Sequence, residues 1–213
     1  MDTGLNRSYF QSSQKRAPMS ADRSPYAYQQ PFAVWENAFT PAELDAIVAL
    51  GDSLQLDKAG VIYDPAQATD DSSQRVTRTA WMARAPQTEW LYDRIERVAR
   101  VLNHQIYQFD LAGFSEHFQY TVYHASEGGH FGWHIDQIPN GAHRKLSFSL
   151  QLSDPGDYDG CDLELQCGPA IRAAPRTRGT LVAFPAYAIH RVTPIVSGTR
   201  RALVIWTAGP PFR

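Results

Sequence analysis

The second half of the chain is a series of short β-rich segments, and this pattern constrains the fold more than any other feature of the sequence. From Glu116 onward, seven such runs are separated by turn residues, and no helical periodicity lies between them. The runs are EHFQYTVYH, FGWHID, KLSFSLQL, CDLELQC, TLVAF, AIHRV and RALVIWT. Consecutive short strands of this kind predict an antiparallel sandwich or barrel.

The first half of the chain supplies helices and a long polar segment. Residues 1–30 lack a period that would bury one face and predict a flexible tail, which leaves 31–213 as one domain. Thr40-Pro41-Ala42-Glu43 is a capping box that predicts a helix start, and the apolar spacing from Trp90 to Leu102 predicts a second helix. We expect both helices to pack outside the β-structure. Residues 57–74 are polar and predict a long loop that could act as a lid.

Charge and cysteine content narrow the classes of partner. The 20 Lys and Arg residues nearly balance the 22 Asp and Glu residues, so the net charge of -2 predicts no nucleic-acid or anionic membrane partner. The sequence has no signal-peptide core and no apolar run of the ~18 residues that a membrane span needs. Its two cysteines are too few for a disulfide framework and are expected to be core residues. A cytoplasmic protein of undetermined oligomeric state, acting on a small molecule or a peptide, is the expectation.

A candidate metal site lies in GGHFGWHIDQ, residues 128–137, and its ligands depend on the local structure. On a helix, His130 and His134 would share a face, whereas on a strand His134 and Asp136 would share one. The three glycines of the segment each cost about 1 kcal/mol relative to alanine in a helix interior. The bulky aromatic and branched residues between them favour a strand. We therefore predict a strand over 131–136, with His134 and Asp136 as ligands and His130 outside the site.

His190 is the best candidate for a third metal ligand, because it lies at the start of another short predicted strand. Two histidines and one carboxylate form the facial triad of non-heme iron(II) oxygenases, which leaves three coordination positions open. Zinc would more often close its coordination shell tetrahedrally.

A basic residue, Arg200, follows His190 by ten positions. The order of H-x-D, a distant histidine and this arginine resembles the 2-oxoglutarate and iron(II)-dependent dioxygenases, in particular the prolyl 4-hydroxylase-like branch with its PKHD-type hydroxylases. The resemblance covers about Asn37 to Trp206. It is densest in QYTVYHASEGGHFGWHID, LSDPGDYDGCDLEL and HRVTPIVSGTRRALVIW.

The resemblance implies a double-stranded β-helix, which is the jelly roll of the cupin class, with flanking helices. It also implies that His134, Asp136 and His190 bind Fe(2+) as the catalytic centre, and that Arg200 binds the far carboxylate of 2-oxoglutarate. The cofactors would be iron, 2-oxoglutarate and O2, with ascorbate as a possible addition.

The resemblance assigns three further side chains less clearly. Tyr123 matches a tyrosine that lines the cosubstrate pocket, although a core role is an equal alternative. Gln151 takes the place of a tyrosine that many prolyl hydroxylases use to bind the cosubstrate, and Trp206 is expected to be a core residue rather than a pocket wall. In the PKHD branch a glycine usually stands where this chain has Cys161.

The implied reaction is hydroxylation of an unactivated C–H bond of a prolyl, amino-acid-like, peptide or small-molecule substrate, with succinate and CO2 as co-products. Two alternatives remain open. A cupin-class metal enzyme that does not use 2-oxoglutarate would leave Arg200 without a cosubstrate, and a catalytically silent metal or ligand sensor would show no turnover.

Overall fold

A computed structural model describes residues 31–64, 67–69, 71–137 and 143–212, with backbone alone considered at 61–64 and 67–69. The predicted tail, residues 1–30, lies outside the described residues. Within the described part, no helix is long and apolar enough to cross a membrane.

Two α-helices lie in the first half of the chain, as predicted. They are α1 (Pro41–Asp52) and α2 (Glu89–Leu102), and a π-helical turn over Asn103–Tyr107 extends the second. The first strands are β1 (Ala33–Trp35), β2 (Asp57–Lys58), β3 (Val61–Asp64), β4 (Gln67–Thr69), β5 (Arg75–Val76), β6 (Arg78–Met82), β7 (Gly113–Phe114) and β8 (Phe118–His124). They are followed by β9 (His130–His134), β10 (Arg144–Gln151), β11 (Tyr158–Gly160), β12 (Leu163–Cys167), β13 (Ala170–Ala173), β14 (Leu181–Pro185), β15 (His190–Val192) and β16 (Ile195–Ala208).

The strands form two main antiparallel sheets. The nine-stranded sheet has the order β1-β14-β10-β16-β8-β6-β2, with β7 and β11 paired to β16. The five-stranded sheet has the order β13-β12-β15-β9-β5, and β3 pairs with β4 as a separate hairpin. Each of the seven runs predicted from the sequence overlaps one of these strands. The arrangement is the expected double-stranded β-helix with flanking helices, so the predicted fold class is confirmed.

The helices cover the outer face of the nine-stranded sheet. Apolar residues of both helices, among them Ile47 and Ile95, share one buried cluster with Phe118, Phe148 and Leu203 of the sheet. A second cluster of buried apolar residues, including Leu165 and Phe184, lies between the two sheets. Both faces of the nine-stranded sheet are therefore covered. Its inner face is turned toward the five-stranded sheet and can line a site between the two sheets.

The capping box of α1 forms as predicted. The Thr40 hydroxyl accepts from the Glu43 backbone N–H, and the Glu43 carboxylate accepts from the Thr40 backbone N–H. We predict that Thr40→Ala lowers the free energy of unfolding by about 1 kcal/mol, because it leaves a helix N–H without its acceptor. Chemical denaturation measures the change. Thr40→Ser is the control and should stay near wild type, and an equal loss in both variants would contradict the capping role.

Three local predictions need correction. The 57–74 segment is not a structureless loop, because it contains β2 and the hairpin β3–β4, whose first strand includes the β-prone run Val61-Ile62-Tyr63. Part of that segment lies outside the described residues, so its role as a lid stays a prediction. Cys161 is buried as expected, but Cys167 is only partly buried at the end of β12.

The third correction concerns Ser197-Gly198, a Ser-Gly pair whose sequence predicts a turn before the final strand. These residues instead lie inside β16, where Gly198 has a φ of 76° and pairs with Tyr158 of β11. A Cβ atom at Gly198 would lie 2.0 Å from the carbonyl oxygen of Asp157. Glycine is therefore required for the close approach of the two strands, and not for a chain reversal.

Candidate active site

The five-stranded sheet brings the two predicted histidine ligands together. His134 ends β9 and His190 begins β15, and the two residues are direct partners in the antiparallel pairing of these strands. Their ring centroids are 4.1 Å apart. One ligand atom from each of His134, Asp136 and His190 lies within 4.8 Å of the others. The three residues that the sequence selects therefore converge on one point.

Both histidines are held with the same nitrogen directed at the aspartate. The Nδ1 atom of His134 lies 2.7 Å from the carbonyl oxygen of Gly132, and that of His190 lies 2.9 Å from the carbonyl oxygen of Ala188. Carbonyl oxygens accept hydrogen bonds, so each Nδ1 carries the proton and each Nε2 keeps its lone pair. The Nε2 atoms of His134 and His190 lie 3.8 and 3.5 Å from Asp136 oxygens. This orientation directs the Nε2 atoms of both imidazole rings at the position that a cation would take.

Asp136 is buried and supported by a neighbouring hydroxyl. The Ser147 Oγ atom donates to its Oδ2 atom at 2.6 Å. Burial alone would raise the pKa of Asp136, but His190, His134 and the Ser147 hydrogen bond outweigh it and lower the pKa to about 2. Burial and the neighbouring His190 lower the pKa of His134 to about 4. At neutral pH the site therefore offers an ionised carboxylate beside a neutral His134, the protonation states that a metal ligand set needs.

The strand that carries the H-x-D motif differs in extent from the prediction. It covers His130–His134 rather than 131–136, so Asp136 lies two residues beyond its end. The Asp136 backbone N–H donates to the Ala186 carbonyl oxygen at 2.8 Å, which fixes this short extension against the chain after β14. The sequence pattern could not locate this end, because Ile135 is as β-prone as the residues before it.

His130 lies apart from the cluster, in agreement with the strand interpretation. Its Nδ1 atom is 2.8 Å from the Gly128 carbonyl oxygen and its Nε2 atom is 3.3 Å from the Ser73 carbonyl oxygen. We predict that His130→Ala retains bound iron at the wild-type level, measured by metal analysis of the reconstituted protein. Loss of iron as complete as in His134→Ala would show that the ligand set is wrong.

The histidines and Asp136 line a cavity of about 810 Å³ between the two sheets. Tyr123 of β8, together with Arg200 and Trp206 of β16, lines the same cavity. Trp206 is buried, as expected of a core residue, and its ring also forms part of the cavity wall. Trp206 lies six positions after Arg200 along β16, and an even separation on a strand puts both side chains on the same, inward face.

Arg200 is almost fully buried, at 2% exposure, and faces polar rather than acidic groups. Its Nη2 atom donates to the Gln151 Oε1 atom at 2.9 Å, and its guanidinium carbon lies 5.6 Å from the Tyr123 ring centroid. Burial pulls the pKa of Arg200 down, but Cys161, Tyr123 and Tyr158 more than offset it and raise the pKa. No carboxylate within the described ranges forms an ion pair with this guanidinium.

Arg201 points away from the cavity, as the alternation along β16 predicts. Its Nε atom lies 3.1 Å from the Asp52 Oδ1 atom at the end of α1, and its side chain is 29% exposed. The two adjacent arginines therefore have different environments, and Arg200 is the one that shares a cavity with the histidines.

Sequence reasoning missed several residues of the cavity. Ser147 supports Asp136, and Arg144 lies 3.8 Å above the Trp206 ring while it pairs with Glu116. Arg75 of β5 also lines the cavity. KLSFSLQL alternates serine with apolar residues, but the contact of Ser147 with Asp136, on another segment of the chain, could not be read from this strand alone.

Comparison with known proteins relates part of this chain to a family. Residues 118–208 match the model of the 2OG-Fe(II) oxygenase superfamily. Over these residues the chain is similar to that superfamily. The resemblance inferred from the sequence is thereby confirmed, and iron(II) and 2-oxoglutarate are the cofactors expected from it.

Two curated relatives are similar over part of their length. A PKHD-type hydroxylase of Pseudomonas putida strain F1 is 38% identical over 88 residues, which is 38% of this chain and 39% of that protein. A PKHD-type hydroxylase of Shewanella baltica strain OS155 is 34% identical over 127 residues, which is 54% of this chain and 57% of that protein. The chain thus matches about two to three fifths of these relatives.

Solved structures share the fold at low sequence identity. A prolyl-4-hydroxylase of Pseudomonas putida superposes with a TM-score of 0.68 at 17% identity and covers 86% of this chain and 95% of that one. A prolyl hydroxylase of Trichoplax adhaerens, solved with a peptide fragment of a hypoxia inducible factor, has a TM-score of 0.69 at 17% identity, with 84% and 83% covered.

Proposed function

We propose that this chain is an Fe(II)- and 2-oxoglutarate-dependent dioxygenase that hydroxylates an unactivated C–H bond. The observation that carries the proposal is the buried Arg200, a cation without an acidic partner in the described chain, in the same cavity as the His134, Asp136 and His190 cluster. A metal site alone would not require such an arginine. A cosubstrate with a free carboxylate does.

His134, Asp136 and His190 are the residues that would hold iron(II). Two imidazole nitrogens and one carboxylate oxygen leave three positions for a bidentate cosubstrate and dioxygen. Iron with 2-oxoglutarate supplies an oxidant strong enough for C–H hydroxylation, with succinate and CO2 as co-products. Ser147 keeps Asp136 ionised and oriented, and the Gly132 and Ala188 carbonyl groups keep the imidazole rings in the binding tautomer.

Arg200 would bind the far carboxylate of 2-oxoglutarate. A guanidinium group matches a planar carboxylate with two parallel hydrogen bonds, and burial strengthens that pairing. Gln151 holds one guanidinium nitrogen by its side-chain oxygen, so it positions Arg200 rather than competing for it. Tyr123 would form the adjacent wall, and its hydroxyl stays protonated because burial raises its pKa.

A prolyl, amino-acid-like, peptide or small-molecule substrate is proposed. The cavity has room for a substrate beside the cosubstrate. The hydroxylase names of the relatives and the peptide bound to the Trichoplax neighbour support this range of substrates. The alternatives that lack 2-oxoglutarate chemistry leave Arg200 without a ligand, which is why they rank second.

Reconstitution tests the proposal. The purified chain is loaded anaerobically with iron(II) and 2-oxoglutarate, exposed to oxygen with panels of prolyl peptides and free amino acids, and assayed for succinate. The expected result is succinate that requires iron and oxygen, together with a product one oxygen atom heavier than its substrate. Oxygen uptake or another reaction without succinate would favour the cupin-class alternative, and binding without any turnover would favour the sensor.

A further inference from the structure

Arg75 also lies in the cavity, on the side of the histidines. Arg75 begins the short edge strand β5, where it pairs with Phe131 of β9. Its guanidinium carbon lies 4.5 Å from the centroid of the Phe131 ring, and that ring stacks on His134 with centroids 3.5 Å apart. The Phe131 ring therefore lies between Arg75 and His134, a predicted metal ligand.

The hydrogen-bonding capacity of Arg75 is largely unused. Its Nη2 atom donates to the Gln119 Oε1 atom at 3.2 Å, whereas its Nε atom is buried and has no partner in the part of the chain that the structure describes. No ion pair between Arg75 and a described carboxylate is found, although Arg78 pairs with Glu127 and Arg144 with Glu116. Burial accordingly lowers the pKa of Arg75.

Asp136 is not an ion-pair partner of Arg75. Its charge raises the pKa of Arg75 but lies beyond ion-pair distance, and a bound metal would take that charge. A desolvated guanidinium without an anion is unfavourable, because a buried charge is stabilised by pairing and hydrogen bonding. Arg75 therefore lacks an anionic partner among the described residues.

A second unpaired donor lines the same cavity. The indole Nε1 atom of Trp206 is buried without a hydrogen-bond partner in the described residues, and the side chain is 6% exposed. Buried donors of this kind are normally satisfied. The Nε–H of Arg75 and the Nε1–H of Trp206 are donors without acceptors among the described residues, and Arg75 is also a cation. A ligand with anionic oxygens would supply both the acceptors and the countercharge.

We propose that Arg75 binds a carboxylate of the hydroxylated substrate, so that the substrate is a small carboxylic acid of the amino-acid type rather than an internal peptide residue. The inference rests on the proposed function, because it assigns Arg200 to 2-oxoglutarate and leaves Arg75 for the second ligand. Gln119 holds Nη2 of Arg75, and the free Nε edge then faces the substrate acid. Trp81, 6.2 Å from Trp206, extends the apolar wall for the rest of the molecule.

Binding of matched acids and amides tests this assignment. The full chain is loaded anaerobically with iron(II) and saturating 2-oxoglutarate, and then titrated with N-acetyl amino acids and with their amides. Tryptophan fluorescence reports binding, since Trp81, Trp133 and Trp206 line the cavity. Wild type should bind at least one acid about tenfold to a hundredfold more tightly than its amide, the range for a charge-assisted hydrogen bond.

Variants connect the preference to Arg75. Arg75→Gln should abolish the acid preference, Arg75→Lys should retain part of it, and Arg78→Gln, a matched arginine outside the cavity, should keep all of it. The 2-oxoglutarate constant should stay unchanged in all three variants. Equal binding of acids and amides, no binding of any acid, a preference that survives in Arg75→Gln, or a raised 2-oxoglutarate constant in Arg75→Gln would each overturn the proposal.

The same samples separate this inference from the proposed function. The visible charge-transfer band of an iron(II)–2-oxoglutarate chelate, measured before any acid is added, reports the cosubstrate site alone. Its absence would refute the proposed function whatever the acids do. Its presence without an acid preference would refute only the role of Arg75.

Discussion

Replacing His134, Asp136 or His190 with alanine should abolish succinate formation and leave the fold intact. Each substitution removes one of three ligands and leaves an incomplete facial site, so iron is no longer held in the geometry that binds a bidentate cosubstrate. The fold should persist, because the apolar clusters that flank both faces of the nine-stranded sheet do not include these residues. Metal analysis, circular dichroism and the succinate assay measure the three properties separately.

Asp136→Asn is a sharper variant than Asp136→Ala. It keeps the volume of the side chain and the hydrogen-bond partner of Ser147, but removes the negative charge that two histidines and an incoming cation share. Its iron content should fall as far as that of Asp136→Ala, with His130→Ala as the matched control at wild-type level. Succinate production near wild type in any ligand variant would remove that residue from the proposed metal site.

Truncation of Arg200 should raise the apparent constant for 2-oxoglutarate by tens- to thousands-fold. The far carboxylate of the cosubstrate would lose its countercharge in a water-poor cavity, and breaking a buried charge pair costs on the order of 2 to 5 kcal/mol. Arg200→Met is preferable to alanine, because it fills more of the space of a nearly fully buried side chain. Succinate rates over a series of 2-oxoglutarate concentrations give the constant.

Arg201→Met is the matched control on the same strand. Its guanidinium lies outside the cavity beside Asp52, and a partly exposed ion pair contributes roughly 0–1 kcal/mol to stability. The 2-oxoglutarate constant of this variant should stay near wild type at equal iron and oxygen. A larger defect in Arg201→Met, or small and equal defects in both variants, would defeat the assignment and favour the enzyme that uses no 2-oxoglutarate.

The fold and the metal cluster could be predicted because both are encoded in local patterns. Alternation along a strand puts Arg200 and Arg201 on opposite faces, and the ten-residue offset from His190 then selects Arg200. Capping chemistry locates the start of α1 from four residues. The convergence of His190 on His134 was not visible in the pattern itself. His190 was selected by its place at the start of a short predicted strand and by the resemblance, and the pairing of β15 with β9 explains why it meets His134.

Contacts between distant strands explain most of what the sequence did not reveal. The sequence did not show that the buried Trp206 also lines the cavity, because a core tryptophan and a cavity-lining one have the same strand pattern and only the opposing sheet distinguishes them. Ser147 meets Asp136 across eleven positions, and Arg75 meets Gln119 across forty-four. Such pairs depend on register between strands, which a single strand does not encode.

The most direct test of the central claim is the origin of the oxygen in succinate. The chain, loaded with iron(II) and 2-oxoglutarate, is exposed to isotopically heavy dioxygen in ordinary water, with His134→Ala as the blank. The proposed dioxygenase chemistry predicts that wild type incorporates one heavy oxygen atom into each succinate molecule, and that the blank forms no succinate. Succinate that carries no label, or no succinate from a wild-type protein that retains its iron, would contradict the assignment of this chain as a 2-oxoglutarate-dependent dioxygenase.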